Sequence, residues 1–359
     1  LFSSLFGVKY LTAMIISAIV IVAYTTLGGF LAASTTDFIQ SIIMSVALIV
    51  VLIFGVETAG GIGAVIHNAS ELPGYLSMTL SYDVNTGKAA PYSALTIVST
   101  AAWGLGYFGM PHILLRFMAI EDEKKLKLSR RVATIWVVIS LFVAVFIGVI
   151  GYTMSKVGAL EMLTGSNSET IIVKISALLS QHGVIFALLA GVILAGILAS
   201  TMSTSDSQLL AASSAVSSDI LGAFRKDSSN KNGSMAAARI TLLVISVVAA
   251  FIARNPDSSV FAIVSFAWAG FGAAFGPVVL FSLFWKRTNK WGALAGMVCG
   301  GSMVFIWKYL IRPLGGIWNI YELLPAFLIA CAAIVIVSLL TPKPSKEIEE
   351  EFDRVAQMK

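Results

Sequence analysis

The stretch VATIWVVISLFVAVFIGVIGYT runs from Val132 to Thr153 without a charged side chain. The hydrocarbon core of a bilayer is about 30 Å thick, and a helix needs about 20 apolar residues to cross it. The apolar residues follow one another without the polar and apolar alternation of a strand in a membrane barrel. The stretch therefore predicts a membrane-spanning helix.

Similar apolar stretches recur along the chain. Of the 359 residues, 57% are hydrophobic and only 12% are charged, whereas a soluble domain has about 25% charged residues. Eight further spans are predicted: Tyr10 to Gly29, Phe38 to Val56, Ser93 to Met118, Gly183 to Met202, Ile240 to Ala253, Val260 to Trp285, Gly292 to Ile311 and Leu323 to Leu340. The sequence thus predicts an all-α membrane protein with about nine spans.

The basic residues indicate how these spans are oriented. Lys and Arg collect in cytoplasmic loops, and most of the 24 basic residues lie in alternate loops, at 116–131, 225–239, 286–290 and 343–359. These loops are predicted to be cytoplasmic, which places the C-terminus inside and Leu1 outside. From that orientation, and because the chain begins with Leu, we expect further helices upstream. The scattered basic residues do not predict a nucleic-acid partner, and no obligate protein partner is evident.

The span from Ser93 to Met118 is interrupted by the sequence WGLGYFGMPH at Trp103 to His112. Three glycines and a proline are poor helix formers, and irregular backbone within a membrane is tolerated only where it is buried or lines a cavity. An unwound segment would offer backbone groups to a zwitterionic solute, with Trp103, Tyr107 and Phe108 as walls. Alternatively, the glycines permit close helix packing. The residues alone leave both readings open.

A run of hydroxyl side chains occupies Ser200 to Ser207. A hard cation such as Na⁺ prefers several oxygen ligands, and the Ser203 and Thr204 side chains lie one helical turn from the carbonyl of Ser200. These groups could form half of a coordination shell. The alternative is that each hydroxyl bonds back to a carbonyl of the preceding turn.

Two acidic residues, Asp37 and Asp206, fall within or beside predicted spans. An ionisable group at membrane depth is costly and therefore suggests a function, here a cation path or a second cation site. Either residue could instead lie in the headgroup zone as a helix N-cap.

Small residues predict a helix interface near the C-terminus of the chain. Gly292, Gly296 and Gly300 recur every fourth residue, which places them on one side of a helix and predicts close packing against a neighbour. The segment from Phe266 to Pro277 alternates small and aromatic residues and is also predicted to pack tightly. The two cysteines, Cys299 and Cys331, receive no role.

Several stretches together resemble the sodium/solute symporter family. They are Tyr24 to Ala32 (YTTLGGFLA), Trp103 to Ala119, Ala199 to Leu210, Ala267 to Phe281 and Gly292 to Met297. The resemblance implies a leucine-transporter-type fold of two inverted repeats whose broken helices meet at the membrane centre. It implies that residues 1–56 form the last two helices of the first repeat, 57–92 an extracellular loop, 93–285 the second repeat, 286–342 two additional helices and 343–359 a cytoplasmic tail. The N-terminal helices are expected to be absent.

The resemblance also implies roles for individual residues. Ser200, Ser203 and Thr204 correspond to Na⁺ ligands, and Asp37 to an acidic residue of the cation path. Trp103, Tyr107 and Pro111 correspond to substrate-binding residues, and Phe261 to an apolar external gate. Two positions depart from the family pattern: Met110 replaces a Gln of the proline carriers, and Asp206 replaces a small residue near a second cation site.

The function implied is secondary active transport in the bacterial inner membrane. Inward movement of Na⁺ would drive uptake of a small amino acid, L-proline above others, by alternating access. Pantothenate, a sugar or sialic acid are alternative solutes. A channel would need a continuous polar pore, whereas the polar residues here are clustered. No enzyme activity is predicted, because only three histidines are present and they form no catalytic pattern.

Overall fold

The computed structural model describes residues 7–224, 231–254 and 260–357. The helices are α1 (Tyr10–Thr58), α2 (Ile62–Ser70), α3 (Ala94–Ala101), α4 (Pro111–Met118), α5 (Leu126–Lys156), α6 (Ile171–Leu179), α7 (Val184–Ser214), α8 (Leu221–Phe224), α9 (Lys231–Ile252), α10 (Val260–Phe284), α11 (Lys290–Ile306), α12 (Leu323–Leu340) and α13 (Lys346–Gln357). A small two-stranded sheet, β1 (Leu80–Asp83) and β2 (Lys88–Pro91), lies in the long loop after α2.

Seven helices among the described residues are long and apolar enough to cross a membrane. The difference from nine has two local causes. Helix α1 contains both of the first two predicted spans, which meet at Gly29, where the backbone leaves the helical region (φ 62°, ψ −162°). The predicted span from Ser93 to Met118 is divided into shorter segments. The all-α membrane architecture is confirmed, while the count of about nine spans is not.

Contacts divide the chain into two compact units. The first comprises the described parts of residues 1–76, 82–89 and 120–257, and the second those of 77–81, 90–119 and 258–359. These units are defined by contacts and do not test the assignment of inverted repeats, which stays a prediction.

The core of the first unit lies where α1, α5, α6 and α7 pack together. Its largest fully buried side chains are Ile147, Ile150, Met154, Ile175, Leu179 and Ile193. Small residues allow the close approach: a Cβ on Gly55 would lie 2.8 Å from Ile150, and one on Gly151 would lie 2.6 Å from Ile171.

The second unit is built around α10, α11 and α12. Its buried cluster comprises Ala269, Ala273, Val304, Leu323, Ala326 and Phe327. The glycine stripe of α11 is buried as predicted. A Cβ on Gly296 would lie 2.4 Å from Ile334 of α12, and one on Gly300 would lie 2.2 Å from the carbonyl of Ala273 in α10. The stripe is therefore a helix interface.

The charged tail forms the amphipathic helix α13, among whose residues none is buried. It is joined to the loop between α10 and α11 by an ion pair between Lys286 Nζ and Asp353 Oδ2 at 2.6 Å. Asp353 holds the pKa of Lys286 above its usual value, first through this hydrogen bond.

Candidate functional site

The segment between α3 and α4 departs from α-helical geometry, as the sequence predicts. Ala102–Gly109 forms a 3₁₀ helix, and Met110 is extended (φ −81°, ψ 111°) before α4 begins at Pro111. The cause is local: a proline disfavours the helical conformation of the residue before it and has no N–H to continue the ladder. The N-terminus of α4, where the positive end of the helix dipole lies, has no side-chain cap, and the N–H groups of Ile113 and Leu114 donate to the carbonyl of Met110.

The glycines of this segment also pack tightly against α10. A Cβ on Gly109 would lie 2.4 Å from the carbonyl oxygen of Phe271, and one on Gly106 would lie 1.9 Å from Nε1 of Trp268. Gly104 has no heavy atom within 4 Å of its ideal Cβ position. The packing reading of these glycines is therefore confirmed, while the role of the segment in solute binding stays a prediction.

Aromatic rings gather around Trp103. The rings of Phe261, Trp268 and Tyr321 are nearly parallel to it, with centroids at 5.5, 5.5 and 6.0 Å. Nε1 of Trp268 donates a 2.9 Å hydrogen bond to the carbonyl of Trp103. Tyr107 meets the Trp268 ring edge-on at 4.7 Å. This aromatic cluster thus contains two predicted substrate residues, Trp103 and Tyr107, and the predicted gate, Phe261.

The outer members of the cluster are accessible. Tyr107 is 48% exposed and Phe261 is 67% exposed, whereas Met110 is only 4% exposed. Pro111 is half-buried at the start of α4. Among the described residues, no hydrogen-bond partner is found for the Tyr107 hydroxyl. The segment can therefore present one hydroxyl, aromatic faces and an uncapped helix end to a small solute.

The predicted Na⁺ ligands lie in the interior of α7. The hydroxyls of Ser203 and Thr204 both donate to the carbonyl of Ser200, at 3.3 and 3.2 Å. Hydrogen bonding back to the preceding turn is thus observed, but it brings three oxygens together and leaves lone pairs on both hydroxyls. Ser203 is half-buried and Thr204 is exposed within this unit. Their role as ligands stays a prediction.

Asp206 lies one turn further along α7 and is fully buried. Its Oδ2 accepts a 2.9 Å hydrogen bond from the Tyr24 hydroxyl, and its Oδ1 accepts one of 3.2 Å from Ser207. Tyr24 belongs to α1, and the sequence predicted no role for it. Its position within the family-like stretch YTTLGGFLA was the only signal that could have pointed to it.

Asp37 lies in the interior of α1, so neither it nor Asp206 is an N-cap. Both residues belong to the same compact unit. An acidic side chain in an apolar helix attracts a cation or a proton, because an uncompensated charge is costly there. This arrangement fits the predicted cation path without testing it.

The predicted residues therefore form one group in each unit. Asp37, Ser200, Ser203, Thr204 and Asp206 lie in the first unit, and Trp103, Tyr107, Pro111 and Phe261 lie in the second. Both cysteines are free thiols and half-buried, so no role is added for them.

Comparisons with known proteins place the chain in a transporter family. The model of the sodium:solute symporter family matches residues 1–300. The osmoregulated proline transporter OpuE of Bacillus subtilis is 38% identical over 96% of this chain and 66% of its own length. The sodium/proline symporter of Haemophilus influenzae is 39% identical over 99% of this chain and 68% of its own. The high-affinity proline transporter PutP of Bacillus subtilis is 39% identical over 98% of this chain and 70% of its own length.

A solved structure shows the same fold. This chain matches the solved structure of a Na⁺-coupled sialic acid symporter in a substrate-bound outward-open state. The TM-score is 0.74 and the sequence identity is 18%, over 96% of this chain and 70% of that one. The fold is therefore of the leucine-transporter type. The chain spans about two thirds of the length of the curated relatives that it matches. The chain belongs to the sodium:solute symporter family.

Proposed function

We propose that this protein couples inward movement of Na⁺ to uptake of a small amino acid, L-proline above other solutes. The support is the family membership together with three relatives of 38–39% identity that are named as proline transporters or sodium/proline symporters. The observation that carries the proposal is the interrupted segment Ala102–Met110, which carries aromatic side chains next to an uncapped helix end.

The chemistry of this segment suits proline. The carboxylate of the solute would lie near the N-terminus of α4, where the helix dipole favours negative charge. The pyrrolidine ring would lie against Trp103, and the Tyr107 hydroxyl would bond to a polar group of the solute. Pro111 sets the extended backbone of Met110 that opens the segment. Met110 has no side-chain amide, whereas the proline carriers of the family have Gln at this position. We therefore expect affinity for the solute to depend more on the aromatic faces here than in those carriers.

Ser200, Ser203 and Thr204 would contribute three oxygens to Na⁺, with the remaining ligands from elsewhere in the protein. A neutral set of hydroxyls and carbonyls binds a monovalent cation without the cost of an uncompensated buried carboxylate. Asp37 and Asp206 would lower the barrier for the cation on its way to the cytoplasm or hold a second cation.

Coupling follows from thermodynamic linkage. Na⁺ drives solute uptake only if both ligands favour the same conformational state, so that each raises the affinity for the other. Alternation of that state between the two sides of the membrane, with Phe261 closing the external side, would then move both inward. No covalent bond is made, so the protein would be a carrier and not an enzyme.

We further propose that the protein lies in the bacterial cytoplasmic membrane with its C-terminus inside. The basic loops support this orientation, because cytoplasmic loops of membrane proteins are enriched in Lys and Arg. The partners would be Na⁺, the small solute and the lipid bilayer.

Uptake into proteoliposomes tests the proposal. Labelled L-proline should accumulate above its external concentration when Na⁺ is imposed outside, and a sodium ionophore should abolish the accumulation. Unlabelled pantothenate, sugars and sialic acid are added as competitors. Accumulation that does not depend on Na⁺, or simple equilibration without accumulation, would contradict the carrier mechanism. Competition by another solute but not by proline would reassign the substrate.

A further inference from the structure

The loop between α11 and α12 is closed by a buried charge. The side chain of Glu322 is 2% exposed, and its Oε2 accepts a 2.8 Å hydrogen bond from Nη1 of Arg312. Nε of the same guanidinium donates to Oδ1 of Asn319 at 3.0 Å. One planar cation thus bonds two residues of the loop at once, which fixes the loop against the start of α12.

Tyr321 connects this loop to the interrupted segment. Its backbone N–H donates to the hydroxyl of Ser99 in α3 at 3.1 Å, and its own hydroxyl donates to the carbonyl of Ser265 in α10 at 2.6 Å. Its ring lies nearly parallel to that of Trp103, with centroids 6.0 Å apart and 15° between the planes. Two hydrogen bonds therefore fix the ring that contacts Trp103.

These contacts reach Trp103 from outside the predicted repeats. Tyr321 precedes α12, which belongs to the two additional helices of the sequence prediction, whereas Trp103 belongs to the segment that carries the solute in the proposed function. The ring of Tyr321 is the part of this residue that belongs to the aromatic cluster. The contact with Trp103 is thus the route by which Tyr321 could act on a solute held in this segment.

We propose that Tyr321, held by Ser99, Ser265 and the Arg312–Glu322 pair, is a positioning residue that orients the Trp103 ring for solute binding. This inference rests on the proposed function, because it takes Trp103 as part of the solute site. The loop between α11 and α12 thereby becomes a determinant of apparent affinity for the solute. The Na⁺ requirement, which depends on other residues, is left unchanged.

The test compares Tyr321→Leu, Tyr321→Phe and the control Tyr309→Leu with the unaltered protein in proteoliposomes. Tyr309 is an exposed tyrosine of the same unit that contacts Phe266 and not Trp103. Tyr321→Leu should raise the half-saturating solute concentration roughly three- to tenfold, in line with the loss of one aromatic pair. The maximal rate should stay within about twofold, as should the half-saturating Na⁺ concentration measured at saturating solute. Tyr321→Phe keeps the ring but removes its hydrogen bond to Ser265, so it should raise the half-saturating concentration by less than Tyr321→Leu does. Tyr309→Leu should lie close to the unaltered protein.

A double-mutant cycle with Trp103→Leu shows whether Tyr321 acts through Trp103. The effect of Tyr321→Leu on the half-saturating solute concentration should disappear in the Trp103→Leu background. Where uptake is too slow to measure, equilibrium binding of labelled solute gives the corresponding ratios of dissociation constants. An equal rise in both backgrounds, or an unchanged half-saturating concentration, would overturn the inference. If Tyr321→Leu does not reach the membrane, Ser99→Ala replaces it and is judged by the same criterion.

The two proposals fail in different ways. Absence of Na⁺-dependent proline uptake by the unaltered protein counts against the proposed function. The half-saturating concentrations of the variants are then compared with that of the unaltered protein for the solute that it does carry. Normal proline uptake with an unchanged half-saturating concentration in Tyr321→Leu counts against the role of Tyr321 alone.

Discussion

The hydroxyl of Tyr24 donates a 2.9 Å hydrogen bond to the buried carboxylate of Asp206, which joins α1 to α7. The residues are 182 positions apart. Among the described residues, Ser207 is the other side chain that donates to this carboxylate. Loss of the Tyr24 hydroxyl would leave a buried oxygen without its partner, which costs more than the net value of an ordinary hydrogen bond.

Tyr24→Phe should therefore lower the free energy of unfolding by about 1–3 kcal/mol. The measurement is thermal unfolding of the detergent-solubilised protein. Tyr10→Phe is the matched control, because the Tyr10 hydroxyl also donates from α1, but to the exposed carbonyl of Ala253. Equal destabilisation by the two changes would contradict the special role of the buried carboxylate.

Gly109→Ala should destabilise the second unit because its Cβ would lie 2.4 Å from the Phe271 carbonyl and 2.8 Å from the Gly276 nitrogen, both in the backbone of α10. Backbone atoms cannot rotate away, so a cost of roughly 1–3 kcal/mol is expected. Gly104→Ala, five residues earlier with open space around its Cβ, is the control. Thermal unfolding of both variants checks the prediction, and a stable Gly109→Ala protein would show that α10 and the interrupted segment pack less closely.

Gly300→Ala and Gly301→Ala are neighbouring substitutions with opposite expected effects. A Cβ on Gly300 would lie 2.2 Å from the carbonyl oxygen of Ala273, whereas one on Gly301 would make only ordinary contact with Ala274 at 3.8 Å. The first change should lower the unfolding temperature. The second should leave it unchanged or raise it slightly, because Ala is favoured over Gly in a helix by about 1 kcal/mol. The reverse order of stability would exclude the glycine stripe as the interface.

Ser203→Ala and Thr204→Ala should raise the Na⁺ concentration that gives half-maximal uptake, since each removes one proposed oxygen ligand. We expect a rise of roughly tenfold or more, which corresponds to about 1.4 kcal/mol. Ser205→Ala is the control, because Ser205 also bonds back to the preceding turn, at 2.8 Å from the Thr201 carbonyl, and is not a predicted ligand. Unchanged Na⁺ dependence in both test variants would remove these residues from the site.

Two of the ion pairs of the second unit, Arg312–Glu322 and Lys286–Asp353, should differ greatly in their contribution to stability. Arg312→Ala leaves the 2% exposed carboxylate of Glu322 without its cation, and such uncompensated buried charges cost roughly 3–5 kcal/mol. Lys286→Ala breaks a pair in which both side chains are more than 40% exposed, so the loss of stability should be far smaller. Unfolding temperatures of the two variants provide the comparison. A similar loss in both would mean that solvent reaches Glu322.

The interruption at Trp103 to Met110 could be predicted because its causes are neighbours in the chain. Pro111 acts on Met110 directly, and the glycines weaken the helix where they stand. The glycine stripe of α11 could also be predicted, since its period places the three residues on one side of a helix. Whether the glycines of the interrupted segment serve binding or packing could not be decided, because packing depends on Trp268 and Phe271, more than 150 residues away.

The hydroxyl side chains of α7 could also be predicted only in part from the sequence. The sequence places Ser200, Ser203 and Thr204 within one turn, but it does not say where the hydroxyl hydrogens point. The partner of Asp206 could not be predicted, because the contact with Tyr24 joins residues distant along the chain. Tyr321 was missed for the same reason: nothing near it in the sequence identifies Trp103 as its neighbour.

The sequence by itself determined that this chain forms apolar helices in a membrane and where one of them is interrupted. Both follow from local composition, because the bilayer requires each backbone group to be bonded within its own segment. The tertiary structure alone decided which ring contacts Trp103, which hydroxyl bonds to Asp206 and which glycines face a backbone atom. Those relationships depend on how distant helices pack, and short-range sequence patterns contain no information about them.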